Sequence, residues 1–155
     1  MKILLPIHSE QDAKLSLDFI ANYRWLRGTQ FQVLHVVGIN EDEKAAAKAE
    51  ESGRALVATM ASKIATTVSG SEVITKVSLG QPVYEILQTA SSWKATMIVM
   101  GFRKRYLNHQ YLAGSVSRGV ALQAPCSVSI IRPPEEYQTK MEDTSGLSTA
   151  ELQSA

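Results

Sequence analysis

Short β-branched runs alternate along most of the chain with stretches whose apolar residues recur at helical spacing, a pattern that belongs to βαβ units and a parallel sheet. The first run, residues 2–7, reads Lys-Ile-Leu-Leu-Pro-Ile and is nearly all apolar, as a strand covered on both faces requires. A helix is predicted over 12–27, with Ala13, Leu17, Ile20, Ala21 and either Arg24 or Trp25 facing inward, Ser9 or Asp12 as its cap and Gly28 at its close. A second strand follows over 30–37, then a polar loop over 38–43. A long helix runs from 43 to 68, alanine-rich at its start and interrupted by Gly53.

The third strand is placed at 72–77, ending near Gly80, and Pro82 suits the first position of a third helix that buries Val83, Ile86, Leu87 and Ala90. A fourth strand, 96–100, ends at Gly101. Residues 102–113 show no clean period and read as a loop. A short helix begins at Gly114-Ser115 and runs to about Leu122, and the last strand extends from Cys126 to Arg132. In that strand Cys126, Val128 and Ile130 alternate with Ser127 and Ser129, which suits an edge position. The expectation is an α/β three-layer sandwich: a Rossmann-like five-stranded parallel sheet with helices on both faces, formed by residues 1–133. Residues 134–155 form an acidic tail, expected to be flexible.

Composition narrows the classes. The formal charge is +1, but residues from Pro133 to Ala155 carry a net −4, which leaves the body at +5. That is too weak for a dedicated nucleic-acid surface. Cys126 is the single cysteine, so no disulfide can form within the chain. The first apolar run is short for a signal peptide and no stretch approaches a membrane span, so no membrane partner and a cytoplasmic location are expected.

In a doubly wound sheet ligands sit outside the carboxyl ends of the strands, near the point where strand order reverses. Three places then matter: residues 6–10, with Pro6, Ile7 and His8; residues 36–40, with Val36 and Val37; and residues 101–117. The third is densest. Gly101 lets backbone approach a ligand, Gly114-Ser115-Val116-Ser117 open a helix with unpaired amides and two hydroxyls, and Arg103, Lys104, Arg105 and Arg118 lie alongside with no acidic neighbour. The plainer readings are a helix cap for Ser115, a strand stop for Gly101 and a solvated loop for the basic run. His35 reads as a core histidine, His109 as a solvent-facing loop residue and Cys126 as a buried, inert thiol. No Gly-x-x-x-x-Gly-Lys-Ser/Thr or Gly-x-Gly-x-x-Gly motif is present, and neither a catalytic residue nor a metal site can be nominated.

Taken in order, Lys2-Ile-Leu-Leu-Pro-Ile7, Leu34-His-Val-Val37, Gly80-Gln-Pro82, Ile98-Val-Met-Gly101, Gly114-Ser-Val-Ser117 and Ala124-Pro-Cys-Ser-Val128 resemble the universal stress protein family over about residues 1–133. The resemblance implies a stress-related regulatory module, commonly a homodimer joined through the last strand, that binds ATP or another adenine nucleotide with Mg2+ as an accompanying ion. It implies backbone contacts from Gly101, Gly114, Ser115, Val116 and Ser117, and an adenine-side contact from Val36 or Val37. ATP-binding relatives carry Gly, two residues, Gly, nine residues, Gly and Ser or Thr. Here the spacing is kept, but Lys104 replaces the second glycine, His8 stands where an aspartate is usual, and Thr96 replaces an aspartate entering the fourth strand. The alternative is a nucleotide-independent member acting through dimerisation and protein partners. Weak hydrolysis stays open.

Overall fold

Alternate residues of the first strand, β1 (Lys2–Pro6), enter opposite cores: Ile3 and Leu5 join one buried cluster and Leu4 the other. Side chains of period two do this in a strand covered on both faces. The computed structural model describes residues 1–39, 42–102, 104–107 and 110–132, the side chains of 103–113 aside. The acidic segment 134–155, Arg103 and His109 therefore lie outside the described residues.

After β1 come α1 (Glu10–Ala21), β2 (Gln30–Val37), α2 (Glu43–Thr67), β3 (Glu72–Leu79), α3 (Pro82–Trp93), β4 (Met97–Gly101), β5 (Lys104–Leu107), β6 (Gln110–Ala113), α4 (Ser115–Gln123) and β7 (Ser127–Ile131). Five strands form one parallel sheet in the order β3-β2-β1-β4-β7, so the direction of winding reverses between β1 and β4. On one face Ile20 of α1 and Val57, Met60 and Ile64 of α2 meet Ile3, Leu5, Phe31, Val33 and Val99. On the other, Ile86 and Ala90 of α3 and Val120 of α4 meet Leu4, Leu34, Val36, Ile98 and Met100. This is the expected three-layer α/β fold, and the last strand does stand at an edge.

Three local expectations are corrected. The first helix stops at Ala21 rather than Arg27, with Ser9 as its cap: Ser9 Oγ accepts from the Asp12 amide at 3.2 Å. Trp25 mimics a helical stripe for another reason. It folds back after the helix has ended, donates its indole N–H to the Ile20 carbonyl at 2.8 Å and meets Phe31 edge-on at 5.4 Å. The segment read as a loop over 102–113 contains an antiparallel pair, β5 with β6, in which Lys104 lies opposite Ala113 and Tyr106 opposite Tyr111. β3 also continues to Leu79, two residues beyond its predicted end.

Gly53 has a packing reason. It does not break α2; it lets the helix lie against His35 of β2, and a Cβ at position 53 would stand 2.4 Å from the imidazole Cδ2. His35 is buried and cannot swing aside easily, because its Nδ1 donates to the Ile7 carbonyl at 3.0 Å. It is the satisfied core histidine expected from sequence. Gly53→Ala gains helix propensity of about 1 kcal/mol but forces overpacking that costs about 1–3 kcal/mol. We expect net destabilisation by urea unfolding, and a Gly53→Ala, His35→Ala double variant less unstable than the two single effects added together.

Candidate functional site

The reversal between β1 and β4 opens a cleft of about 410 Å³ at the carboxyl ends of those strands. Its described lining comes from the end of β1 and the turn beyond it (Pro6, Ile7, His8), Asp12 of α1, Leu34 and Val36 of β2, Pro82 and Ile86 of α3, Met100 and Gly101 of β4, and Gly114 to Ser117 at the start of α4. Nine of the residues singled out from sequence meet there: Pro6, Ile7, His8, Val36, Gly101, Gly114, Ser115, Val116 and Ser117. Val37 is buried in β2 and is absent from the described lining. Arg103 lies outside the described residues, and Lys104 is described only as a backbone position opposite Ala113.

Sequence reasoning missed Asp12, Leu34, Pro82, Ile86 and Met100 as cleft residues. The apolar four had been read as core or helix-start positions, and they wall one side. Asp12 is the informative omission. Its Oδ2 accepts the His8 amide at 3.1 Å, and a methyl group on Gly101 would stand 3.1 Å from Oδ1. Gly101 thus has a second use, since its missing side chain lets the carboxylate approach the end of β4. The available signal was an acidic residue in the first turn of the helix following β1, where a carboxylate also suits the helix dipole.

Across the cleft, the first amides of α4 have no intrahelical carbonyl to bond. Gly114, not Ser115, holds the N-cap position, and no side chain caps that end. The two serines part in role. Ser117 is buried and donates its hydroxyl to the Gly114 carbonyl at 3.0 Å, while Ser115 is exposed at the cleft. The arrangement can hold an anion at the α4 end, an apolar flat group against Leu34, Val36, Ile86 and Met100, and hydrogen-bond donors at Asp12.

His8 is exposed at the rim and stacks on His35, with centroids 5.7 Å apart and planes inclined by 24°. Thr96 stands at the amino end of β4, remote from the cleft's end of that strand. Its hydroxyl accepts from the Lys2 amide at 3.0 Å and donates to the Lys2 carbonyl at 2.9 Å. Among the described residues no group of three or more His, Cys, Asp or Glu side chains is placed to hold a metal ion. Nor is any described helix long and apolar enough to cross a membrane.

Comparison with known proteins places this geometry. The universal stress protein family matches residues 1–132. Among solved structures, the universal stress protein UspA from Lactobacillus plantarum superposes with a TM-score of 0.68 at 20% identity, covering 85% of this chain and 97% of that one. The universal stress protein from Archaeoglobus fulgidus in complex with dAMP gives 0.63 at 24% identity, covering 84% and 97%. A universal stress protein family protein from Arabidopsis thaliana with AMP bound gives 0.60 at 16%, covering 88% and 94%. At these identities each likeness speaks to the fold. No curated protein matches in sequence.

Cys126 is half-buried beside the second core, and burial raises its thiol pKa, with a backbone hydrogen bond at Ile98 opposing the shift. A raised pKa leaves less thiolate near neutral pH. Alkylation by iodoacetamide is therefore expected to run slower than that of a free cysteine at about pH 7.5, and to go on accelerating at pH values above the ordinary thiol pKa of about 8.5. A rate at or above that of the free thiol contradicts this assignment.

Proposed function

The chain belongs to the universal stress protein family, and from that premise we propose that its cleft binds an adenine nucleotide. ATP is the form implied by the motif spacing, and the protein acts as a stress-related regulatory module. One observation carries the reading: at the β1/β4 reversal, a cleft of about 410 Å³ sets the uncapped amides of α4 beside an apolar wall. Phosphate suits the first. A purine suits the second, where Val36 and Ile86 flank the space. Ser115, exposed at the α4 end, adds a hydroxyl. The Archaeoglobus fulgidus relative holds dAMP and the Arabidopsis thaliana relative AMP, which supports the same ligand class here. The reading requires no catalytic residue, and Mg2+ accompanies the phosphates as the nucleotide's own counterion.

The assembly we propose is a homodimer joined along β7. That strand is a sheet edge, and its half-buried Val128 and Ile130 alternate with Ser127 and Ser129.

A specific observation favours a second reading, in which the protein works without nucleotide. The Asp12 carboxylate lies in the cleft against Gly101, and a fixed negative charge there opposes a polyphosphate.

Titration calorimetry with AMP and with ATP separates the two. Heat of binding together with a raised unfolding temperature supports the first reading, because a ligand that binds only the folded state stabilises it. No heat and no thermal protection with either nucleotide leaves the second. Gly101→Ala pushes on Asp12 and narrows the cleft, and is expected to weaken AMP binding about tenfold, or about 1.4 kcal/mol. Asp12→Asn is expected to shift preference towards ATP over AMP, since it removes the charge that opposes additional phosphates.

A further inference from the structure

The amino ends of the strands, opposite the cleft, carry an aromatic ledge. α1 stops at Ala21, and residues 22–29 turn the chain into β2. Trp25 fixes that turn through its bond to the Ile20 carbonyl and its edge contact with Phe31. Thr29 closes it, its amide and its hydroxyl both donating to the Leu26 carbonyl, at 3.0 and 2.7 Å. On this base the Tyr23 ring lies 4.4 Å from Phe19 and 6.1 Å from Trp25, centroid to centroid. The rings are held in place, yet they are not covered. Tyr23 is 57% exposed and Leu26 71%.

Two cations punctuate the same turn. Arg24 and Arg27 are both exposed, and among the described residues neither is ion-paired. Glu72, at the start of β3, bonds the Gln30 side chain at 2.6 Å instead. Tyr, Trp and Arg on a rigid base are the residues that most often anchor contacts between protein segments. The apolar part of the ledge suits an aliphatic side chain, and the two guanidiniums suit carboxylates.

The chain supplies a stretch of that chemistry. Residues 141–152 read Met-Glu-Asp-Thr-Ser-Gly-Leu-Ser-Thr-Ala-Glu-Leu. Glu142, Asp143 and Glu151 are its charges, with no cation among them. Ser148 and Glu151 have the spacing of a helix capping box, and Leu147 and Leu152 stand where the apolar pair that brackets such a box belongs. That pattern brings both leucines to one side. We propose that this stretch docks on the ledge, Leu147 against Tyr23 and Leu26, with its carboxylates at Arg24 and Arg27.

Reach is no obstacle. β7 ends at Ile131 on the carboxyl side of the sheet, three strands away from β2. Three spacings are about 14 Å and the eight residues of β2 about 27 Å, a diagonal of roughly 30 Å. The fifteen residues from Arg132 to Leu147 extend to about 50 Å, which leaves about 20 Å for passing around α1. In a two-fold pair joined antiparallel along β7, the partner's ledge stands level with Ile131 and four spacings away, about 19 Å, also within reach. The occupant is the same stretch in both cases. Its tether gives it an effective concentration of about millimolar order, so modest contacts suffice.

The test is paramagnetic relaxation by NMR on the isotope-labelled full chain, with a nitroxide attached at Ser148→Cys in a Cys126→Ala background. The expected result is selective broadening of the Tyr23–Arg27 amides and of the Trp25 indole N–H, with the Ser115–Ser117 amides unaffected. An Arg24→Glu, Arg27→Glu variant, and separately a Glu142→Gln, Asp143→Asn, Glu151→Gln variant, should each lower the ratio of docked to free segment about tenfold. Leu147→Ser should remove most of the broadening. If the Cys126→Ala background does not fold, amide shifts of the unmodified chain against Leu147→Ser decide the matter, with differences expected at Tyr23–Arg27. No broadening or shift difference at the ledge, broadening at Ser115–Ser117 instead, or a response untouched by both charge variants overturns the proposal.

Discussion

A strand buried on both faces must satisfy every backbone polar group sideways, and β1 is such a strand: Ile3, Leu4 and Leu5 are wholly inaccessible to solvent. Its neighbours are β2 on one side and β4 on the other. The crossover from β1 travels over one face to reach β2, and the crossover that returns from β3 travels over the opposite face to reach β4. At the carboxyl ends of β1 and β4 the chain thus departs in two directions, and the described residues leave a cleft between them. The cleft follows from that lateral hydrogen-bonding requirement combined with right-handed crossovers. Its residues decide what enters, not whether it exists.

The cleft is polarised. At one end, the uncapped start of α4 presents amide hydrogens and the positive pole of a helix. On the side of α1, Asp12 in the first turn accepts the His8 amide. Leu34, Val36, Ile86 and Met100 give the cleft an apolar wall on the side of α3 and α4. A molecule matching this pattern carries its anion at the α4 end, a flat apolar body in the middle, and hydroxyl or amine donors toward Asp12.

Much of this was legible in the residues alone. The strands stood out because β-branched runs covered on both faces leave little else to read, and Gly114-Ser115 marked a helix start through composition that only such a start tolerates. What escaped had physical causes. Trp25 continued a helical spacing although its burial comes from folding back onto Phe31, a long-range contact that periodicity cannot distinguish. Tyr106 and Tyr111 form a cross-strand pair of backbone positions within a segment whose basic run hid the alternation. Gly53 looked like a flaw in α2 because its partner, His35, lies on a different strand. Asp12 offered only its place in the first turn of the helix after β1, since its role in the cleft depends on the approach of Gly101, nearly ninety residues later. Local pattern fixed the elements; juxtaposition across the sheet fixed the chemistry.

The same reversal that opens the cleft also leaves the far edge bare. α3 must carry the chain from β3 back across β2 and β1 to reach β4, so it packs chiefly over β2 and meets β3 through Lys76, whose ammonium donates to the Thr89 hydroxyl. Gly80, with φ of +155°, and Pro82 at the start of α3 make that return abrupt. α2 covers β3 on the other face, and there Val73 and Val77 are partly buried. On the face towards α3 Ile74 is 39% exposed, and among the described residues no strand pairs with the outward, odd-numbered backbone groups of β3. β7, at the opposite edge, is shorter: Phe102 donates to Ile131 O, so only Val128 and Ile130 turn their backbone groups away from β4. One topological event therefore yields two distinct surfaces, a concave one where the crossovers part and a linear one where the returning helix leaves a strand behind.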